Sequence, residues 1–248
     1  MTKKLIQSAV IYRGPSLLDG KAIVVIAVLS SRNRKTGRMV QTYILRSDID
    51  PREANRTGED FSICGTCPLK GTPNPEPGKL AIGRGCYVNI GQGVLITYKH
   101  FLKGGYPTIS GHAAIAALGA GNMVRVGTYG DGAAVPGYVW ESLLSQAKGW
   151  TGYSHQSATP GANFNPAWFM QSVENAEQAR AAWALGRRTF RVVNSETEIV
   201  AGAEIVCPSN RGVQCTDCGL CKGNSVKGKS IVIEAHGPGT VHARKIAA

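Results

Sequence analysis

From Met123 to Gly237 short β-rich runs alternate with helical stretches, and this alternation restricts the fold more than any other feature of the chain. "MVRVGTY" at 123–129 reads as a buried strand, "PGYVWESLLSQAKG" as a helix, and "WTGYSHQ" and "AWFMQSV" as strands. "NAEQARAAWALG" reads as a helix with Asn175 as its cap and Gly186 as its stop, and "RTFRVV", "AEIVC" and "SIVIEAHG" as further strands around a helix-like turn, "SETEIVAG". Strands separated by helices are joined by crossovers, so the sheet is expected to be mostly parallel. Successive strands end in polar groups, "YGD", "YSHQ", "SVEN", "CPSN" and "AHG". Carboxyl ends of parallel strands share one face, where such folds keep their chemistry. The expected fold is α/β, a modified or incomplete (β/α) TIM-like barrel.

Upstream, "GVLITYKHFLKG" and "SGHAAIAALGAG" look helical. Residues 22–29 and 40–46 are β-rich around "SSRNRKTGRM", which reads as a basic hairpin loop. The expectation is a single domain over 1–248. It has a β-rich part at 1–50, an irregular cysteine-containing loop at 51–90, and a βα-repeat catalytic core at 91–248 with a cysteine-rich metal loop at 207–221.

With 248 residues, 43% of them hydrophobic, the chain can bury a sizeable core without disulfides. No apolar run reaches about 18 residues, and the start lacks the apolar core of a signal peptide, so neither a membrane partner nor export is expected. A cytoplasmic setting keeps thiols reduced, and seven cysteines gathered in two patches then point to metal. The formal charge of +12 attracts polyanions and makes DNA the expected partner.

Cys215, Cys218 and Cys221 are spaced two residues apart in a glycine-containing loop, and Cys207 closes the strand before it. Such thiolates can converge on one ion, with His236 at the end of the next strand as an alternative ligand. Zinc and a [4Fe–4S] cluster take the same ligands. The second patch, Cys64, Cys67 and Cys86, offers three thiolates. That makes an open site, for zinc with a water or for a cluster with one iron left for S-adenosylmethionine, or else a zinc knuckle that pins the long loop.

Asp131 follows a strand on a glycine-rich turn, as nucleophile, general base or only a helix cap. His155 and Glu174 occupy corresponding strand ends, and convergence of the three makes them the catalytic candidates. Tyr129 and Tyr153 offer faces for a base, along with Tyr87, Tyr98 and Tyr106. Arg125 and Arg191, with Arg187 and Arg188, are candidate phosphate contacts.

The order "CxxC…CYVN…VRVGTYGD…GYSHQ…SVEN…FRVV…CPSN…CTDCGLC…IVIEAHG", from Cys64 to His236, resembles small phage-encoded proteins of the gene-88 type, which are described without an assigned activity. The resemblance implies a phage origin, hence the cytoplasm of an infected cell, and an α/β fold with metal. A more remote resemblance is to the transglycosylases that exchange guanine for a 7-deazaguanine base in tRNA or phage DNA. It implies a (β/α) barrel, zinc on Cys215, Cys218, Cys221 and His236, and Asp131 as the catalytic carboxylate. In this chain the zinc motif is CxxCxxC with an extra Cys207, and Cys64, Cys67 and Cys86 have no counterpart there.

The first functional expectation is therefore a DNA-modifying guanine transglycosylase that takes a deazaguanine base as its small-molecule substrate. The alternatives are an iron–sulfur enzyme of the radical S-adenosylmethionine kind and a non-catalytic, metal-stapled DNA-binding protein. The metal, the base, the DNA context and the oligomeric state are not encoded legibly.

Overall fold

The computed structural model describes residues 7–29, 33 and 35–247. The tip of the basic hairpin, residues 30–32 and 34, lies outside the described residues.

Strands β1 (Ser8–Pro15), β2 (Ala22–Val28) and β3 (Met39–Arg46) form an antiparallel meander. Ile23 to Ala27 of β2 are fully buried, the pattern of a central strand covered on both faces. Four helices follow, α1 (Pro51–Thr57), α2 (Phe61–Cys64), α3 (Leu95–Leu102) and α4 (His112–Gly119). Strand β4 (Met123–Tyr129) then pairs parallel to β3. Helix α5 (Gly137–Leu144) leads to β5 (Gly149–Thr151), parallel to β4, which completes a five-stranded sheet in the order β1-β2-β3-β4-β5.

One residue later β6 (Tyr153–Ser154) opens a second, all-parallel sheet. It continues through β7 (Met170–Ser172), helix α6 (Ala176–Ala184), β8 (Thr189–Val193), β9 (Glu204–Val206), the single helical turn α7 (Cys215–Cys218) and β10 (Ser230–Glu234). The strand order is β6-β7-β8-β10-β9, and α8 (Thr240–Ala247) ends the described chain.

The architecture is mixed α/β with two parallel-rich sheets, and no closed barrel forms among the described residues. The antiparallel meander occupies one end of the strand array, and β10 inserts between β8 and β9 at the other. Only Gly152 separates β5 from β6, and its N–H donates to the Cys221 carbonyl (2.9 Å) while its own carbonyl accepts from Met170.

Two local expectations change. The stretch at 51–90 is not irregular throughout. Asp50 caps α1 by accepting from the Arg52 N–H, Pro51 takes the first helical position, and Gly58 closes the helix at φ 82°. Pro51 and Gly58, read as part of an irregular loop, are the start and stop signals of a short helix. In "AWFMQSV" only Met170–Ser172 is strand; Trp168 and Phe169 turn inward instead.

Trp140, Phe169, Ile26, Ile44 and Leu143 anchor the larger apolar cluster, each almost wholly buried and contributing about 1.5–3 kcal/mol. A smaller cluster around Met170 and Ile231, with Cys221, lies in the second sheet. Among the described residues no helix is long and apolar enough to cross a membrane.

Candidate functional site

Five of the residues expected at strand carboxyl ends, Asp131, His155, Glu174, Cys207 and His236, line one cavity of about 430 Å³. The parallel register of β4, β6, β7, β9 and β10 brings them there, because each follows its strand by one or two residues. Cys64, Cys67 and Cys86 line the same cavity, as do Tyr87, Tyr129, Tyr153 and Arg125.

Asp131 is held from all sides. Its Oδ1 accepts from the Ala133 N–H (3.0 Å), and its Oδ2 accepts from the His155 N–H (3.0 Å) and Gln156 Nε2 (3.4 Å). Burial pushes its pKa up, against the pull of the Ala133 N–H, Ser154 and His155. The preceding turn needs glycine: Gly130 sits at φ 83°, and a Cβ there would meet the Ile44 side chain at 2.7 Å and its carbonyl at 2.9 Å. Asp131 thus reaches the cavity wall but spends its oxygens on joining β4 to β6.

His155 Nε2 and Glu174 Oε1 are 2.9 Å apart. Burial by itself lowers the His155 pKa, but Cys67 and Glu174 beside the ring outweigh it and carry the pKa well above the usual histidine range. The Nε2 proton then lies between the ring and the Glu174 carboxyl group.

The three thiols of the first patch come from one excursion between β3 and α3. Burial raises the Cys64 pKa well above the ordinary thiol value, and Asp60, Cys67 and Cys86 add to it. Gly65, at φ 52°, makes the turn after Cys64, and Gln156 latches the loop to the end of β6. Gln156 Nε2 donates to the Cys64 carbonyl (3.0 Å), while its Oε1 accepts from the Thr66 N–H (3.2 Å) and the Thr159 hydroxyl (2.8 Å). The neighbouring Tyr129 hydroxyl is buried and has no hydrogen-bond partner.

Arg125 is buried in the cavity wall, where its guanidinium donates to the Tyr87 hydroxyl and stands 5.9 Å from the Tyr153 ring centroid. Among the described residues no carboxylate forms an ion pair with it. Lys35 Nζ donates to His236 Nε2 (2.7 Å), which leaves the His236 Nδ1 proton for the Glu234 carbonyl (2.9 Å). Both ring nitrogens of His236 are therefore engaged, which argues against its expected role as a metal ligand.

Three expected phosphate contacts lie elsewhere. Arg191 forms a buried bidentate pair with Glu204 (2.7 and 2.8 Å). Arg188 donates to the carbonyls of Leu220, Gly223, Gly228 and Lys229, and Arg187 to Gln171 Oε1. Tyr98 and Tyr106 do not line the cavity. Sequence reasoning missed Gln156 and Lys35, which carry no motif; adjacency to His155 was the only signal for the former.

Cys207, Cys215, Cys218 and Cys221 line a separate cavity of about 20 Å³. Among the described residues no three His, Cys, Asp or Glu side chains already surround a common point as metal ligands. The donor chemistry of the first patch nonetheless suits a thiophilic centre, since three thiols line one cavity beside a buried hydroxyl that has no hydrogen-bond partner.

No known protein family, curated protein or solved structure matches this chain.

Proposed function

We propose that the chain is an iron–sulfur enzyme in which Cys64, Cys67 and Cys86 hold a [4Fe–4S] cluster and the cavity admits S-adenosylmethionine and an anionic substrate. The observation that carries this reading is the placing of three thiols and the unpartnered Tyr129 hydroxyl on the wall of one cavity of about 430 Å³, at the carboxyl ends of parallel strands. When bound, such a cluster supplies an iron without a protein ligand and one-electron chemistry at that iron.

The chain's own groups do the rest. Arg125 offers a buried cation to an anionic part of the substrate, with Tyr87 and Tyr153 as flat faces beside it. His155 and Glu174 hold a proton at Nε2 next to Cys67. Phe190, Val192 and Ile233 give the cavity apolar walls that exclude water. In this reading the two sheets are an open, incomplete (β/α) barrel, and the excess of positive charge favours phage DNA or its nucleotides as substrate.

A second reading, exchange of guanine for a deazaguanine in DNA, is favoured by the presence of Asp131, His155 and Glu174 on the same wall. It requires Asp131 to give up the hydrogen bonds that tie it to the end of β6.

Anaerobic reconstitution with iron and sulfide separates the readings. Wild-type protein should turn brown and hold iron and inorganic sulfide at cluster stoichiometry, and Cys64→Ala/Cys67→Ala should lose both. On reduction it should cleave S-adenosylmethionine. A colourless protein that takes up no iron but inserts deazaguanine into DNA would establish base exchange instead. DNA binding with neither chemistry, unaltered in Asp131→Asn, would leave a metal-stapled binding module.

A further inference from the structure

The second thiol group lies outside the cluster reading and lines a cavity of its own. Cys207, Cys215, Cys218 and Cys221 all line a space of about 20 Å³. A single water needs about 10–15 Å³ measured this way, so one ion fits and a cluster of four irons and four sulfides does not. The space is built rather than incidental. One turn of α7 carries Cys215 and Cys218, and its Thr216 N–H is tied to the Thr36 carbonyl (3.0 Å). The Cys221 carbonyl is held by the Gly152 N–H, and the Arg188 guanidinium gathers four carbonyls of residues 220–229 around the loop.

The surrounding polar groups ask for anionic sulfur. The Ser209 hydroxyl lies 3.1 Å from Cys207 Sγ. The Thr151 and Thr216 hydroxyls are buried without hydrogen-bond partners; Thr151 lines this space, and Thr216 sits between Cys215 and Cys218 on α7. Cys207 and Cys215 also form part of the wall of the large cavity, on which Arg125 and Lys35 stand with no carboxylate ion-paired to either among the described residues. Four thiolates around a dication leave a double negative charge, which Lys35 beside Cys207 and Cys215 and Arg125 beside Cys215 offset in part.

We propose that Cys207, Cys215, Cys218 and Cys221 bind one thiophilic divalent ion, of the zinc type, in a tetrathiolate site that forms part of the wall of the large cavity. Side-chain rotation of the four cysteines draws their sulfurs to about 2.3 Å from the ion. His236 takes no part, and the site is separate from Cys64, Cys67 and Cys86.

The test uses the full chain, stripped with a chelator and titrated anaerobically with Co²⁺ alone. In a Cys64→Ser/Cys67→Ser background the protein should bind one Co²⁺ per chain, with the intense visible bands and sulfur-to-metal charge transfer of a tetrahedral tetrathiolate, and Zn²⁺ should displace it. Adding Cys215→Ser and Cys218→Ser should abolish the spectrum. Cys218→His, which keeps four ligands and so guards against simple unfolding, should retain one ion with the spectrum of three thiolates and an imidazole. A tetrathiolate spectrum that survives loss of Cys215 and Cys218, or no Co²⁺ bound in the first background, would each overturn the proposal. Because every arm lacks Cys64 and Cys67, its failure is distinct from failure of the cluster reading.

Discussion

Gln156 shows how much of this site depends on a residue with no chemistry of its own. Its amide is nearly inaccessible, with Nε2 on the Cys64 carbonyl and Asp131 while Oε1 serves Thr66 and Thr159. Gln156→Leu leaves those buried partners unsatisfied and should cost about 1–3 kcal/mol, read as a lower urea midpoint at unchanged slope. A change below about 0.5 kcal/mol would mean that the Cys64 loop is pinned by other contacts. The arginines make the same point. Arg125, Arg187, Arg188 and Arg191 look alike in the sequence, yet only Arg125 lines the cavity, because a guanidinium's role is set by which acceptors surround it after folding.

Among the elements, β9 is a short edge strand whose position depends on an ion pair. Arg191 of β8 reaches across β10 to Glu204, the first residue of β9, and its Nη2 also donates to the Glu198 carbonyl. Breaking a fully buried pair from one side strands the other charge, so Arg191→Met should destabilise by about 3–5 kcal/mol. Arg191→Met/Glu204→Leu should recover much of that loss in thermal unfolding. Equal loss in the single and double variants would show that the pair is not the brace. Since Cys207 follows β9 directly, the same brace positions the first cysteine of the second thiol group.

For the whole molecule, acid stability concentrates at the carboxyl end of β3, the central strand of the first sheet. Buried Arg46 pairs with Asp48 (2.9 Å) and Glu59 (2.7 Å), and Lys21 also reaches Glu59. The Arg46 hydrogen bond holds Asp48 below its ordinary 3.8, and those of Lys21 and then Arg46 hold Glu59 below its ordinary 4.5. Folded pKa values below the unfolded ones give stability that is present above those ordinary values and disappears as pH falls through the depressed ones. Urea midpoints should therefore drop as pH is lowered from about 4.5, and Arg46→Met should flatten that part of the curve. An unchanged slope in the variant would place the acid sensitivity elsewhere.

Local pattern by itself determined the alternation of strands and helices, the Asn175 cap, the grouping of cysteines into two patches and the choice of strand ends that carry Asp131, His155 and Glu174, because propensity, capping and spacing act within a few residues of chain. Tertiary structure alone decided that neither sheet closes into a barrel, that β10 enters between β8 and β9, that Arg191 and Arg188 are structural, and that both ring nitrogens of His236 take hydrogen-bond partners. Those outcomes rest on pairings between residues far apart in the chain. A buried charge or polar group takes whichever partner packing supplies, and no periodicity records that partner in advance.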